Sequence, residues 1–176
     1  MIKSLSKFIL NFLMSWKVFG SLPSNDKYII AVVPHSSFFD LIIAILIRSS
    51  LGLKIKFIAK KELFNPVTSI LFRYMGGIPV DRTVNKNFVE SVTQLFKTNK
   101  LKILAIAPEG TRKKVDKWKT GFYYISLNAK IPIVMVSFDY QKKEVIIYEK
   151  FYPSGDYESD FITLKGYVED VVIRNK

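Results

Sequence analysis

The stretch YIIAVVPHSSFFDLIIAILIRS, residues 28–49, decides the fold that this sequence predicts. Its first six residues are apolar and mostly β-branched, which is typical of a strand buried on both faces of a sheet. A short stretch with polar residues follows, and residues 38–49 then form a nearly all-apolar run of helical length. The pattern predicts a buried strand, a loop at its carboxyl end and a helix that packs on the sheet.

The same alternation continues along the chain. We predict further strands at residues 54–59, 78–80, 101–107, 131–138 and 144–150, and further helices at 62–75, 85–98, 120–129 and 156–174. Strands that alternate with helices predict an α/β fold with a largely parallel central sheet flanked by helices. No linker-like composition divides the chain, so we expect residues 23–176 to form one domain.

The N-terminal segment, residues 1–22, has a different pattern. Over residues 1–20, apolar residues that include Trp16 recur at helical spacing, and most lysines and serines fall on the opposite side. This predicts an amphipathic helix that lies in a membrane interface, since its apolar run is too short to span a bilayer. The alternative is a helix that packs on the protein's own core. We expect peripheral, monotopic attachment to the cytoplasmic face of a membrane.

The net charge limits the classes of binding partner, and the cysteine count limits the kinds of cross-link and metal site. The formal net charge is +12, which favours nucleic acid, lipid headgroups or phosphate-bearing substrates. The chain has no cysteine, which excludes disulfides and cysteine-based zinc sites, and we expect no metal. Most aromatic residues fall at core-periodic positions and no familiar nucleic-acid motif occurs. We therefore expect an anionic membrane surface as partner, and no nucleic acid.

A histidine and an aspartate stand out after the first buried strand. His35, the only histidine, follows the strand segment, and Asp40 lies near the start of the predicted helix, just ahead of the apolar run at residues 41–47. A neutral imidazole can take a proton near pH 7, and a carboxylate on its other ring nitrogen fixes the tautomer and stabilises the imidazolium. Asp40 could instead complement the helix N-terminus. Alone, the two residues leave a catalytic and a structural interpretation open.

The loop after the strand at residues 101–107 carries a second group. Glu109, Gly110, Thr111 and Arg112 combine a carboxylate, a tight turn, a hydroxyl and a planar guanidinium. Together they could grip a phosphate, and Glu109 could bind a substrate hydroxyl or hold a neighbouring cation. The alternative is a solvated basic loop.

Two shorter signals accompany these loops. The strand at residues 78–80 follows a glycine pair and leads into Arg82, which could bring a second guanidinium to the same site. The alternative there is a helix C-cap followed by a surface ion pair. Pro132 is expected to open the strand of residues 131–138 near the site, because proline is confined to strand starts, edges and bulges.

In order and rough spacing, these four segments resemble the sequence blocks of the glycerolipid acyltransferase family, the 1-acyl-glycerol-3-phosphate acyltransferases and their relatives. The histidine and aspartate separated by four residues resemble the first block. Residues 77–82, 109–112 and 131–136 resemble the second, third and fourth. The resemblance extends over roughly residues 30–138, most of the chain.

The resemblance implies an O-acyltransferase that moves a fatty acyl group to the free hydroxyl of a lysophospholipid. The donor would be an acyl-CoA or an acyl-carrier protein, used as co-substrate with no further cofactor. The acceptor it favours is 1-acyl-glycerol-3-phosphate, which would give phosphatidate. His35 would be the general base, and Asp40 would orient it and stabilise its charge. Arg82 and Arg112 would bind the phosphate. The residues that would shape its pocket are Glu109, Gly110 and Thr111.

Three departures from the family pattern leave the acceptor open. Pro34 stands where the family usually has asparagine, Ser69 where it usually has glycine, and Lys113 where a small polar residue is common. Another lysophospholipid or an ornithine-type lipid is therefore the alternative acceptor for the same chemistry. A non-enzymatic basic protein that binds membrane or nucleic acid is the alternative from a different class.

Overall fold

The chain folds around one twisted sheet with helices on both faces. The computed structural model describes residues 2–24, 26–80, 87–112, 115 and 117–175. The strands within these residues are β1 (Lys17–Phe19), β2 (Tyr28–Val32), β3 (Ile55–Lys60), β4 (Gly77–Val80), β5 (Ile103–Ile106), β6 (Ile133–Asp139) and β7 (Glu144–Phe151). The helices are α1 (Ile2–Phe8), which continues as a π-helix over Ile9–Leu13, α2 (Phe39–Leu51), α3 (Ser69–Tyr74), α4 (Phe88–Lys97), α5 (Gly121–Ala129) and α6 (Tyr157–Arg174).

The described strands pair in the order β1-β7-β6-β2-β5-β3-β4. Every pair is parallel except β6 with β7. β2 lies between β5 and β6, with Ile29 opposite Leu104 on one side and Ile133 on the other. This confirms the predicted α/β fold with a largely parallel sheet and an N-terminal helix. It also places the loops after β2, β5 and β6 next to one another at one edge of the sheet.

Alternate residues of the strands face two separate cores. Ile29 and Ala31 pack with buried side chains of α4, α5 and α6. Tyr28 and Ile30 pack with Ile43 of α2 and with the N-terminal segment. The crossovers β2–α2–β3 and β3–α3–β4 run in the same direction along the sheet, so the right-handed rule puts α3 on the same face as α2. We call these faces the α4–α6 side and the α1–α3 side.

The N-terminal helix is shorter than the sequence predicted. Helical structure ends at Leu13, and Lys17–Phe19 pairs as strand β1 with β7. Ser15, with a φ of 59°, takes the left-handed conformation between them, which a helix cannot continue through. Leu10 and Trp16 are buried in the core of the α1–α3 side, so the segment does pack on the protein itself. None of the described helices is long and apolar enough to cross a bilayer.

The helix predicted at residues 62–75 is broken into a 3₁₀ turn, Lys61–Leu63, and the short α3. Asn65 causes the break, because its side-chain oxygen accepts hydrogen bonds from the backbone N–H groups of Val67 and Thr68 at 3.0 Å each. Arg82 and the start of the helix predicted at residues 85–98 lie outside the described residues; α4 begins at Phe88.

Leu10 and Leu13 give a matched test of how the N-terminal segment packs. Leu10 is 2% exposed and Leu13 is 70% exposed, within the same π-helical segment. We expect Leu10→Ala to lower the free energy of unfolding by about 2–5 kcal/mol, because it leaves a cavity in the core. Leu13→Ala should change it by less than about 0.5 kcal/mol. Chemical denaturation measures both, and equal effects would show that the segment does not pack on the sheet.

Candidate active site

His35 and Asp40 meet at the carboxyl edge of the sheet. β2 ends at Val32 and α2 begins at Phe39, so the connecting loop turns back and sets His35 beside the first turn of α2. Nδ1 of His35 lies 2.8 Å from Oδ2 of Asp40. Because Nδ1 is engaged by the carboxylate, Nε2 is the ring nitrogen that can exchange a proton with a substrate. The structure thus brings together the pair that the sequence singled out.

The two members of the pair differ in exposure. Asp40 is 2% exposed, whereas the side chain of His35 is 28% exposed. The same Oδ2 of Asp40 accepts a hydrogen bond from the Ser37 backbone N–H at 3.1 Å. A buried carboxylate with two donors on one oxygen is well placed to orient an imidazole that solvent and ligands can still reach.

The first turn of α2 is held by the loop itself. Oγ of Ser37 accepts a hydrogen bond from the Phe39 backbone N–H at 3.1 Å. Asp40 accepts the backbone N–H of Ser37, outside the helix, so it closes the loop against α2 rather than capping the helix alone. The contact with His35 and the contact with the loop are therefore made by one carboxylate.

Glu109 reaches the same loop from the segment after β5. Its Oε2 accepts a hydrogen bond from the His35 backbone N–H at 2.6 Å. Burial raises the pKa of the Glu109 carboxyl above its ordinary value, and the hydrogen bond from His35 opposes that rise. The sequence predicted that Glu109 binds a substrate hydroxyl or a cation, whereas its observed partner is the backbone of His35.

Arg112 also approaches the start of α2. Its guanidinium carbon lies 5.6 Å from the centre of the Phe38 ring, a cation–π contact. Gly110 has a φ of 67°, a left-handed conformation that favours glycine, and its N–H donates to the Ala107 carbonyl at 3.0 Å. This turn directs the chain back toward the β2–α2 loop. Thr111 is partly buried in the same turn.

Tyr140 is a residue of the site that sequence reasoning missed. It follows β6 directly, and its hydroxyl donates a hydrogen bond to Oδ1 of Asp40. Burial, and then the bond to Asp40, raise the pKa of the Tyr140 hydroxyl, so it stays protonated and donates. Its position just after a predicted central strand was the only signal in the sequence. Arg82, the second predicted phosphate ligand, lies outside the described residues.

A comparison with protein families bears on this site. A family model described as Acyltransferase matches residues 17–139, most of the chain. The matched region contains His35, Asp40 and residues 109–112, and it ends one residue before Tyr140. No curated protein matches the chain.

The raised pKa of Glu109 predicts a pH-dependent effect on stability. The folded protein keeps this proton to higher pH than the unfolded chain, so its stability falls as pH rises from the ordinary glutamate pKa through the raised one. Glu109→Gln keeps an acceptor oxygen for the His35 N–H but removes the partly buried charge. We expect its melting temperature, relative to the native protein, to rise as the pH increases through that window.

The control for this effect is Glu90→Gln, the same chemical change at an exposed position in the first turn of α4. Its melting temperature relative to the native protein should show no gain in that window. A Glu109→Gln variant that loses stability relative to the native protein as pH rises would contradict the conclusion that partial burial disfavours the ionised Glu109 carboxylate.

Proposed function

The chain belongs to the glycerolipid acyltransferase family, as the match over residues 17–139 shows, and on that basis we propose that it acylates the free hydroxyl of a lysophospholipid. The donor in this proposal is an acyl thioester, either acyl-CoA or an acyl-carrier protein. The acceptor is 1-acyl-glycerol-3-phosphate, and the product is phosphatidate. The observation that carries the proposal is the 2.8 Å contact between His35 Nδ1 and the buried Asp40 carboxylate.

The proposed mechanism uses the pair as a general base. Nε2 of His35 takes the proton of the acceptor hydroxyl as the oxygen attacks the thioester carbonyl carbon. The new C–O ester bond forms, the C–S bond breaks, and the imidazolium returns the proton to the leaving thiolate. Asp40 stabilises the imidazolium between these steps, as a carboxylate does in hydrolase triads. The acceptor alcohol takes the place of a serine nucleophile, so the mechanism requires no acyl-enzyme.

Arg112 supports a phosphate on the acceptor. An exposed guanidinium beside the β2–α2 loop offers two parallel donors that fit a phosphate. In the proposal Arg112 binds this group while Glu109, Gly110 and Thr111 fix the loop that carries it. Arg82 completes the phosphate site by resemblance to the family pattern.

A lipid acceptor requires access to a membrane, and the exposed apolar residues indicate which side of the protein contacts it. The described residues of α1, α2, α3 and the segments joined to them expose Ile2, Leu5, Phe8, Phe12, Leu13, Phe38, Phe39, Ile42, Leu51, Leu63, Val67, Ile70, Leu71 and Tyr74. The described helices of the α4–α6 side expose only Tyr124, Ile162 and Ile173 among large apolar residues. Exposed apolar residues concentrated on one side of a protein are typical of a membrane or protein contact.

The charge favours the membrane interpretation. A net charge of +12 is attracted to anionic lipid headgroups, and the exposed apolar residues of the α1–α3 side can enter the headgroup region. We therefore propose peripheral attachment through the α1–α3 side, at the cytoplasmic face, where anionic lipids concentrate. The buried Leu10 and Trp16 hold the N-terminal segment on the protein while Phe12 and Leu13 remain exposed.

The activity can be tested with purified protein, an acyl-CoA and a panel of lysolipids, with products identified by mass spectrometry. We expect transfer to 1-acyl-glycerol-3-phosphate, and at least a thousandfold loss of kcat/KM in His35→Ala, because the proton then has no positioned acceptor. Circular dichroism should show that the variant is folded. Undiminished turnover in His35→Ala would refute the base assignment.

The acceptor's phosphate is tested in the same assay by comparing 1-acyl-glycerol-3-phosphate with monoacylglycerol, which lacks it. Arg112→Ala should raise the KM for the phosphate acceptor roughly tenfold or more and leave the KM for the donor unchanged, since about 1.4 kcal/mol or more of charge-assisted bonding is lost. Equal use of both acceptors by the native protein would place the alternative lipids, including an ornithine-type lipid, ahead of a phosphate-bearing one.

Membrane attachment is tested by flotation with vesicles that contain phosphatidylglycerol. Phe12 and Leu13 are 76% and 70% exposed, so the double variant Phe12→Ser/Leu13→Ser should stay folded and bind vesicles roughly tenfold less tightly or weaker. Ile162→Ser/Ile173→Ser makes a similar change on α6, on the opposite side, and should bind as the native protein does. Equal losses in both double variants would remove the α1–α3 side as the contact.

A further inference from the structure

The Asp40 carboxylate is hydrogen-bonded on both oxygens. Oδ2 faces Nδ1 of His35 at 2.8 Å and the Ser37 N–H at 3.1 Å. Oδ1 accepts a hydrogen bond from the Tyr140 hydroxyl. Because Asp40 is 2% exposed, loss of the Tyr140 hydroxyl would leave Oδ1 short of a donor in a place that solvent hardly reaches. Tyr140 therefore controls the half of the carboxylate that His35 does not contact.

Residues near both ends of the described chain, Trp16 and Asn175, hold Tyr140 in place. Its ring packs edge-on against Trp16, with ring centres 5.2 Å apart and an interplanar angle of 88°. Its backbone N–H donates to Oδ1 of Asn175 at 3.1 Å, and Nδ2 of Asn175 donates to the Phe138 carbonyl at 2.6 Å. Asn175 follows the last turn of α6. The hydroxyl is thus aimed at Asp40 by a packed ring and a pinned backbone.

We propose that Tyr140 is the positioning residue of the His35–Asp40 pair, fixing the carboxylate so that Oδ2 stays aligned with the imidazole. This inference rests on the proposed function, since it assigns a part in the same acyl transfer. Tyr140 contacts the carboxylate and acts through it, so it is not a catalytic residue. Residues 138–140 and 175 then belong to the site's support although they lie far from His35 in sequence.

The net charge of the His35–Asp40 pair shows in which direction the Tyr140 hydroxyl shifts protonation of the imidazole. With neutral imidazole the pair carries a net charge of −1, and with imidazolium it is net neutral. The Tyr140 hydroxyl stabilises the −1 state more, so removing it makes protonation of the imidazole easier. Among the described residues, other ionisable groups near the pair are Glu109, which accepts the His35 N–H, and Arg112, which lies over the Phe38 ring. Arg174, which pairs with Asp139 at 2.8 Å, lines a cavity with Ser37 and Tyr140. None of these groups is replaced by a substitution at Tyr140.

The test compares Tyr140→Phe with Tyr123→Phe. Tyr123 is fully buried, whereas Tyr140 is partly buried, and the Tyr123 hydroxyl donates to Oδ2 of Asp160 at 2.8 Å in the core of the α4–α6 side. Both variants remove one tyrosine-to-aspartate hydrogen bond and keep the ring. Thermal unfolding of each variant measures the purely structural cost, so the control separates stability from an effect on the site.

His35 is the only histidine, so one imidazole NMR titration reports on the pair in the full chain without an activity assay. In Tyr140→Phe we expect the pH of half protonation of this imidazole to rise by about 0.5 or more. We expect kcat to fall roughly tenfold, the acid limb of its pH profile to move up, and the KM for donor and acceptor to change little. Tyr123→Phe should leave the titration and kcat unchanged.

An unchanged imidazole titration in folded Tyr140→Phe would overturn the proposal, as would an equal shift in Tyr123→Phe. If Tyr140→Phe does not fold, Asn175→Ala removes the two bonds that pin residues 138–140, and it should move the titration in the same direction by a smaller amount. A shifted titration in a protein that transfers no acyl group would sustain the positioning role and refute the proposed function.

Discussion

The buried carboxylate of Asp40 is the interaction on which the arrangement of this site depends. An ionised group that is 2% exposed is costly unless several donors surround it. The donors come from the β2–α2 loop, through His35 and Ser37, and from the end of β6, through Tyr140. The start of α2 is therefore fixed by polar contacts, in addition to the apolar packing of Ile43 farther along the helix.

This carboxylate also explains why distant segments converge at one edge of the sheet. β2 lies between β5 and β6, so a residue after either neighbour can reach the loop after β2. Glu109 does so through the His35 backbone and Tyr140 through Asp40. Tyr140 in turn rests on Trp16 and Asn175, near the two ends of the described chain. The hydrogen bond between Tyr140 and Asp40 thus depends on contacts with residues near both ends of the described chain.

Sequence patterns predicted the parts of this arrangement that are local or periodic. From β2 onward the strand and helix order followed from apolar periodicity, and the same pattern placed His35, Asp40 and Glu109 after strands of one largely parallel sheet. Tyr140 was missed because its partner lies 100 residues away and nothing local distinguishes it. The end of the N-terminal helix was misplaced because β1 forms only by pairing with β7, far along the chain.

Helix α2 connects the candidate site with the exposed apolar surface. Its inner face packs Ile43 and Ile47 on the sheet, its first turn carries Asp40, and its outer face exposes Phe39 and Ile42. A lipid that approached the α1–α3 side would therefore meet the helix whose first turn orients His35. Contact with the bilayer and presentation of the acceptor hydroxyl would then be set by one rigid element. Under the proposed function, this geometry would bring a membrane lipid to His35 without a separate carrier step.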